Sequence, residues 1–312
     1  MNFTDALEKG NLEALRECPK ADLHNHFVLG GSRKYLKEQT GRDIHPITEP
    51  LNSMSDMHAW NGQNIGNYFD SPEGRRLLIK ATFTQAKEDG VTILEIGEDV
   101  WGLGAFFGGN IDELAEAFES AHKEIALEIE LRLQIGMSRH CDIAYLEDCL
   151  SHFWGCKAFY SIDLYGDELA QPIENFIPIY RRAKAEGLRL KAHVGEWGTA
   201  EDVRRAVECL ELDEVQHGIA AATDPSVVRF LADNKIRLNI TPTSNYLLGR
   251  VQDLKDHPIA ELYRNGVDVT INSDDVLIFD SDVSKEYLRL YQSGCLTASE
   301  LDDIRKNGLK KI

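Results

Sequence analysis

Short apolar runs alternate with longer stretches of helical period along most of the chain. Eight runs read as strands: ADLHNHF (21–27), VTILEIG (91–97), ELRLQIG (130–136), FYSIDLYG (159–166), RLKAHVG (189–195), EVQHGI (214–219), IRLNITP (236–242) and VDVTINS (267–273). Between them, Ile111, Leu114, Phe118, Ala121 and Ile125 recur at spacings of three and four, as do Ile173, Phe176, Ile177, Tyr180 and Ala183. Each set lays an apolar stripe along one helix face. Several helical stretches end in a glycine that leads straight into a strand, as in KEDGVTILEI, KAEGLRLKAH and YRNGVDVTIN. Alternation of this kind predicts a parallel sheet. Eight repeats without a linker predict closure into one (β/α)8 TIM barrel spanning residues 1–312. The irregular region, 41–71, is rich in Gly, Asn and Pro and reads as a lid-like insertion after the first strand.

Composition narrows the partners. With 52 acidic against 34 basic residues the formal charge is -18, which repels a phosphate backbone, and no basic stripe offsets it. Nucleic acid is therefore not an expected partner. The six cysteines, Cys18, Cys141, Cys149, Cys156, Cys209 and Cys295, lack C-x-x-C spacing, as expected in a reducing cytoplasm. The start, MNFTDALEKG, is charged where a signal peptide needs an apolar core, and no stretch has the length of a membrane span. A cytoplasmic protein without a membrane partner is expected.

In a (β/α)8 barrel the chemistry gathers where the strands end. Here strand one ends with His24 and His26, strand five with His193 and then Glu196, strand six with His217, and strand eight with Asp274 and Asp275. An H-x-H pair in a strand points both imidazoles the same way. Each residue alone reads as readily as a solvated histidine or a helix cap. Convergence of four strands on one rim is harder to explain that way. Imidazoles with a carboxylate are the donors that suit Zn²⁺ with a water in an open position, and Glu196 is placed to move a proton. His217 has two roles open to it, a further ligand or a base that orients water. His45, His58, His122, His140, His152 and His257 fall in helices or loops and read as structural. In WGLGAFFGGN (101–110), Trp101, Phe106 and Phe107 could line the rim and stack on a flat ring, or pack beneath the loop as core.

The segments PKADLHNH, DLYGDE, KAHVGE, VQHGI, TPTSN, NSDD and SKEYLRLY, in that order, resemble the adenosine deaminase family of the metal-dependent amidohydrolases. The resemblance implies an aminohydrolase acting on a 6-aminopurine nucleoside, adenosine or a 5′-modified analogue. It makes His24, His26, His193 and Asp274 the ligands of a single zinc ion, since DLYGDE lacks the bridging lysine of two-metal relatives. It makes Glu196 the acid that protonates N1 and His217 the residue that orients the hydroxide. Asp275 then binds the 6-amino or N7 edge, and the backbone of Gly166 meets N3. No P-C-x-x-C pair is present, so the second zinc-deaminase design is excluded. The sequence departs from the family after H-x-H, where an acid that holds the ribose 5′-hydroxyl is replaced by Phe27, Val28 and Leu29. Gln216 stands where relatives have glycine. A free base such as adenine or another aminated heterocycle is the alternative substrate. A catalytically silent binding protein and a phosphoesterase, which would want basic residues at the rim, complete the alternatives.

Overall fold

The computed structural model describes residues 1–51 and 53–310. Eight strands run in chain order around one parallel sheet: β1 (Lys20–Asp22), β2 (Val91–Ile96), β3 (Glu130–Ser138), β4 (Phe159–Tyr165), β5 (Arg189–Val194), β6 (Glu214–His217), β7 (Arg237–Ile240) and β8 (Asp268–Ile271). Helices separate them, so the predicted (β/α)8 barrel is present. The stripe from Ile111 to Ile125 forms one helix, Ile111–Ile125, with Leu114, Phe118 and Ala121 buried. The second stripe begins as a 3₁₀ turn, Ile173–Phe176, and becomes α-helical only over Ile177–Glu186. Pro178 lies in that first α-turn, where its missing N–H costs nothing.

Glycines at the helix-to-strand turns have the required left-handed backbone, with φ of 72° at Gly90, 84° at Gly187 and 86° at Gly266. Gly90 is also sterically obligatory, because a Cβ there would lie 1.7 Å from the Arg16 carbonyl oxygen.

Two predictions need correction. The first strand covers only Lys20–Asp22, so His24 and His26 lie beyond it. The chain leaves the ladder because its neighbour on the far side is the end of β8, which meets it through side chains and a few backbone bonds. Leu23 N–H donates to Asn272 Oδ1 at 2.8 Å, and Asp274 N–H donates to the His24 carbonyl at 2.9 Å. These contacts close the barrel at the rim and fix both histidines against Asp274. The 41–71 insertion is also more regular than expected. It contains a helix over Met54–Asn61, a π turn over Gly62–Gly66 and a short helix over Asn67–Phe69, with residue 52 outside the description. It is pinned by Ile47 N–H to the Ile278 carbonyl (3.0 Å) and Leu51 N–H to the Leu247 carbonyl (2.7 Å). Ile47, Leu51 and Trp60 pack there on a small apolar cluster of Leu247, Leu248, Ile278 and Phe279.

Candidate active site

The strand ends bring His24, His26, His193 and Asp274 together. His26 Nε2 lies 3.2 Å from His193 Nε2 and 3.4 Å from Asp274 Oδ1, and His24 Nε2 lies 3.6 Å from Asp274 Oδ1. Four ligands at about 2.0–2.2 Å in a tetrahedron stand about 3.3–3.6 Å from one another. The three distances are close to that spacing, and the donor atoms of His24, His26 and His193, like those of His24, His217 and Asp274, all lie within 4.8 Å of one another, so the cluster could hold a cation.

The protons are arranged for ligation as well. His24 Nδ1–H donates to the Asn239 carbonyl at 3.0 Å, which leaves Nε2 with its lone pair, buried and without a hydrogen-bond partner. His193 Nδ1–H donates to Asp163 Oδ1 at 3.3 Å, and the other oxygen of Asp163 accepts from Gln216 Nε2 at 3.5 Å. Burial lowers His24 to about 3 and lowers His26 too, so both imidazoles are neutral, as ligands must be. Burial also acts to lower His193, but the Asp163 carboxylate outweighs it and the imidazole is raised.

His217 is held differently. His257 Nδ1 accepts from Ile259 N–H at 3.1 Å, so its proton is on Nε2, which donates to Asn245 Oδ1 at 3.2 Å. That bond turns the Asn245 amide so that Nδ2 donates to His217 Nδ1, again at 3.2 Å. His217 therefore carries its proton on Nε2, 3.6 Å from Glu196 Oε2. A protonated Nε2 has no lone pair for a metal. In that tautomer Nε2–H is a donor, and the His217 ring also stands with His24 and Asp274 in a group whose donor atoms all lie within 4.8 Å of one another. Its backbone and that of Asp274 are left-handed, φ 63° and 59°, a strained state for residues with a Cβ.

Glu196 is half-buried, and its Oε1 is buried with no hydrogen-bond partner among the described residues. Burial and the Asp274 charge push its carboxyl up to about 8. Glu168 accepts three successive backbone N–H bonds, from Gly195 (2.6 Å), Glu196 (3.1 Å) and Trp197 (2.7 Å), and so fixes the loop that carries it. Asp275 is raised by burial and by the neighbouring Asp274 and Glu196 charges, and its Oδ1 is buried without a hydrogen-bond partner among the described residues. Three carboxyls this close together favour a cation among them.

A cavity of ≈ 390 Å³ opens over these groups. Trp101, Tyr165 and Gly166 form part of its wall, and the insertion contributes Met57, His58, Asn61 and Ile65 from above. Phe106 and Phe107, grouped with Trp101 from the sequence, are not in the wall. Both are buried core residues, and Phe106 instead packs edge-on against Trp101 with ring centres 5.5 Å apart. Phe106 ends the helix Val100–Phe106 and Phe107 caps it, and both side chains turn inward. Sequence reasoning passed over Asp163, Glu168 and Asn245 as individual residues, although DLYGDE and TPTSN contain them, and it read His257 as structural only. It also passed over Arg75 and Glu98, which line the cavity.

A parallel eight-stranded barrel with a histidine and aspartate donor cluster at its strand ends defines a hydrolase of the metal-dependent amidohydrolase type. The adenosine deaminase family model matches residues 65–312. A protein of Treponema pallidum (strain Nichols) that carries the provisional name adenosine/adenine deaminase is 33% identical over 92% of this chain and 96% of its own length. The aminodeoxyfutalosine deaminase of Streptomyces avermitilis is 30% identical over 93% of this chain and 83% of its own. The chain belongs to the adenosine deaminase family and is a hydrolytic deaminase acting on a C–N bond. The barrel resembles that of the crystal structure of an adenine deaminase from Arthrobacter aurescens, with a TM-score of 0.79 and 24% identity over 93% and 92% of the two chains. It also resembles an amidohydrolase of Burkholderia ambifaria solved with bound zinc, at a TM-score of 0.78 and 22% identity over 97% and 87%. Among the described residues no helix is long and apolar enough to cross a membrane.

Proposed function

We propose that the chain is a zinc-dependent aminohydrolase that replaces the 6-amino group of an aminopurine nucleoside with oxygen and releases ammonia. The observation that carries this reading is the close spacing of His26 to His193 and Asp274, and of His24 to Asp274, next to the half-buried acid Glu196. A zinc ion held by these four residues would lower the pKa of its water to about 7 and supply hydroxide at neutral pH. Glu196, whose carboxyl is raised by burial and the Asp274 charge, is the group that delivers a proton to ring nitrogen N1, which makes C6 electrophilic. The His217 Nε2–H then donates to the oxygen nucleophile and fixes its direction. Asp275 Oδ1, without a partner among the described residues, accepts from the amino group, which leaves as ammonia as the C6–N bond breaks and the proton of the newly added hydroxyl passes to it. The Gly166 backbone lies in the cavity wall where it can meet N3, and Trp101 offers a ring to stack on the purine. The 41–71 insertion over the mouth acts as a lid that excludes water.

The relatives named adenine deaminases support a second reading, a free base as substrate, which uses the same reacting end. Small-molecule substrates suit a cavity of this size. Six free cysteines fit a reducing, cytoplasmic setting.

Ammonia release from adenosine, 2′-deoxyadenosine, 5′-methylthioadenosine and adenine tests the reaction. Glu196→Gln should keep one zinc per chain and lose turnover by about 10²–10⁴-fold. Equal activity in that variant would mean that another residue supplies the proton.

A further inference from the structure

The far end of the cavity holds a charged pair that the reaction does not use. Arg75, from the helix Pro72–Glu88, and Glu98, just past β2, both line the cavity. Arg75 Nε lies 3.4 Å from Glu98 Oε2, and each of these two atoms is buried without a hydrogen-bond partner among the described residues. Both side chains are almost fully enclosed, at 4% and 1% exposure. A buried donor and a buried acceptor left half satisfied side by side are costly, and a ligand that offers both functions removes the cost.

The pair is built in rather than incidental. The guanidinium carbon sits 4.3 Å from the Phe106 ring centre, 5.4 Å from Trp101 and 5.7 Å from Phe27, which holds the group in place. Room for the carboxylate depends on Gly102, where a Cβ would lie 2.5 Å from Glu98 Cδ. In an eight-stranded barrel taken in chain order, the end of β2 faces the end of β6 across the mouth. The pair thus stands opposite His217, where the distal part of a substrate reaches.

Resting on the aminohydrolase reading, we infer that Arg75 and Glu98 determine specificity by receiving a neutral, hydroxyl-bearing substituent, the sugar of an aminopurine nucleoside. One hydroxyl donates to the Glu98 carboxylate and accepts from the Arg75 guanidinium where these side chains line the cavity. An anionic group is disfavoured, because Arg75 is the one arginine or lysine among the described cavity residues, and Glu98, Asp99 and Asp70 stand at the same end. The strand-one side of the wall, Val28 and Leu29, is apolar and offers no side-chain partner for a hydroxyl.

The test is steady-state kinetics of the full-length, zinc-loaded protein on adenosine, its 2′-, 3′- and 5′-deoxy analogues, adenine and adenosine 5′-monophosphate. Adenosine should exceed the nucleotide and the free base in kcat/KM by roughly tenfold or more, and loss of one particular hydroxyl should cost a similar factor, mainly through KM. Glu98→Gln should abolish the discrimination between adenosine and that deoxy analogue, a result that a merely structural role would not give. Should the variant fail to fold, the deoxy series on the unaltered protein decides. Preference for the nucleotide, indifference to every hydroxyl, or unchanged discrimination in Glu98→Gln would each overturn the inference. Turnover of adenine alone would do so while leaving the hydrolytic reading intact, whereas no turnover of any aminopurine would remove both.

Discussion

His217 owes its useful tautomer to residues that touch neither metal nor substrate. The chain from Ile259 N–H through His257 and Asn245 leaves only one place for its proton. Asn245→Asp would present an acceptor to Nδ1 and pull the proton to that side. Such a tautomer reversal should lower kcat by about 10²-fold or more while metal content, read by elemental analysis, stays the same. The histidines and acids at the strand ends were legible because barrel geometry says where strand ends meet. Their supports were not. A buried asparagine that orients a histidine looks in sequence like any other polar loop residue, and His257 lies 40 residues beyond His217. Phe106 and Phe107 failed for a related reason, since aromatic residues on a short helix give no sign of which face looks inward.

Beneath the donor cluster the strands carry a charged floor. Lys191 of β5 lies 2.8 Å from Glu95 of β2 and 3.0 Å from Glu214 of β6, with all three side chains buried. Asn239 of β7 donates to Glu214 at 2.8 Å while its carbonyl accepts from His24, so the floor and the site share a residue. Lys191→Met would leave buried Glu95 without its cationic partner, while Glu214 would keep Arg189 at 3.0 Å, and should destabilise the protein by about 3–5 kcal/mol in urea unfolding. Burial alone would raise Glu214, but Lys191, Arg189 and Arg237 outweigh it and hold it down to about 2. A carboxyl depressed in the folded state contributes stability above its unfolded value of about 4.3 and loses it as pH falls toward 2. Unfolding free energy should therefore fall more steeply between pH 5 and about 2 in the natural protein than in Glu214→Gln, and identical slopes would contradict the assignment.

All eight strands were readable from the pattern, with boundaries wrong where tertiary contacts intervene. β1 is short because β8 meets it through Asn272 and Asp274 rather than through a full ladder. The insertion read as irregular because its helices are short and gain their order by docking on Leu247, Leu248, Ile278 and Phe279. That cluster is assembled from distant segments, which no local pattern reveals.

For the molecule as a whole, the acidic excess and the cavity tell the same story. A chain of formal charge -18 that gathers Asp274, Asp275 and Glu196 around one point is suited to a resident cation and a neutral substrate. Because the ion would bind only the folded state, chelation should lower the thermal midpoint and abolish turnover, and added zinc should restore both. The most direct measurement is anomalous scattering at the zinc edge from crystals of the zinc-loaded protein. One peak within about 2.0–2.2 Å of His24 Nε2, His26 Nε2, His193 Nε2 and an Asp274 carboxylate oxygen is expected. A peak elsewhere, or none at that point, would contradict the proposed centre.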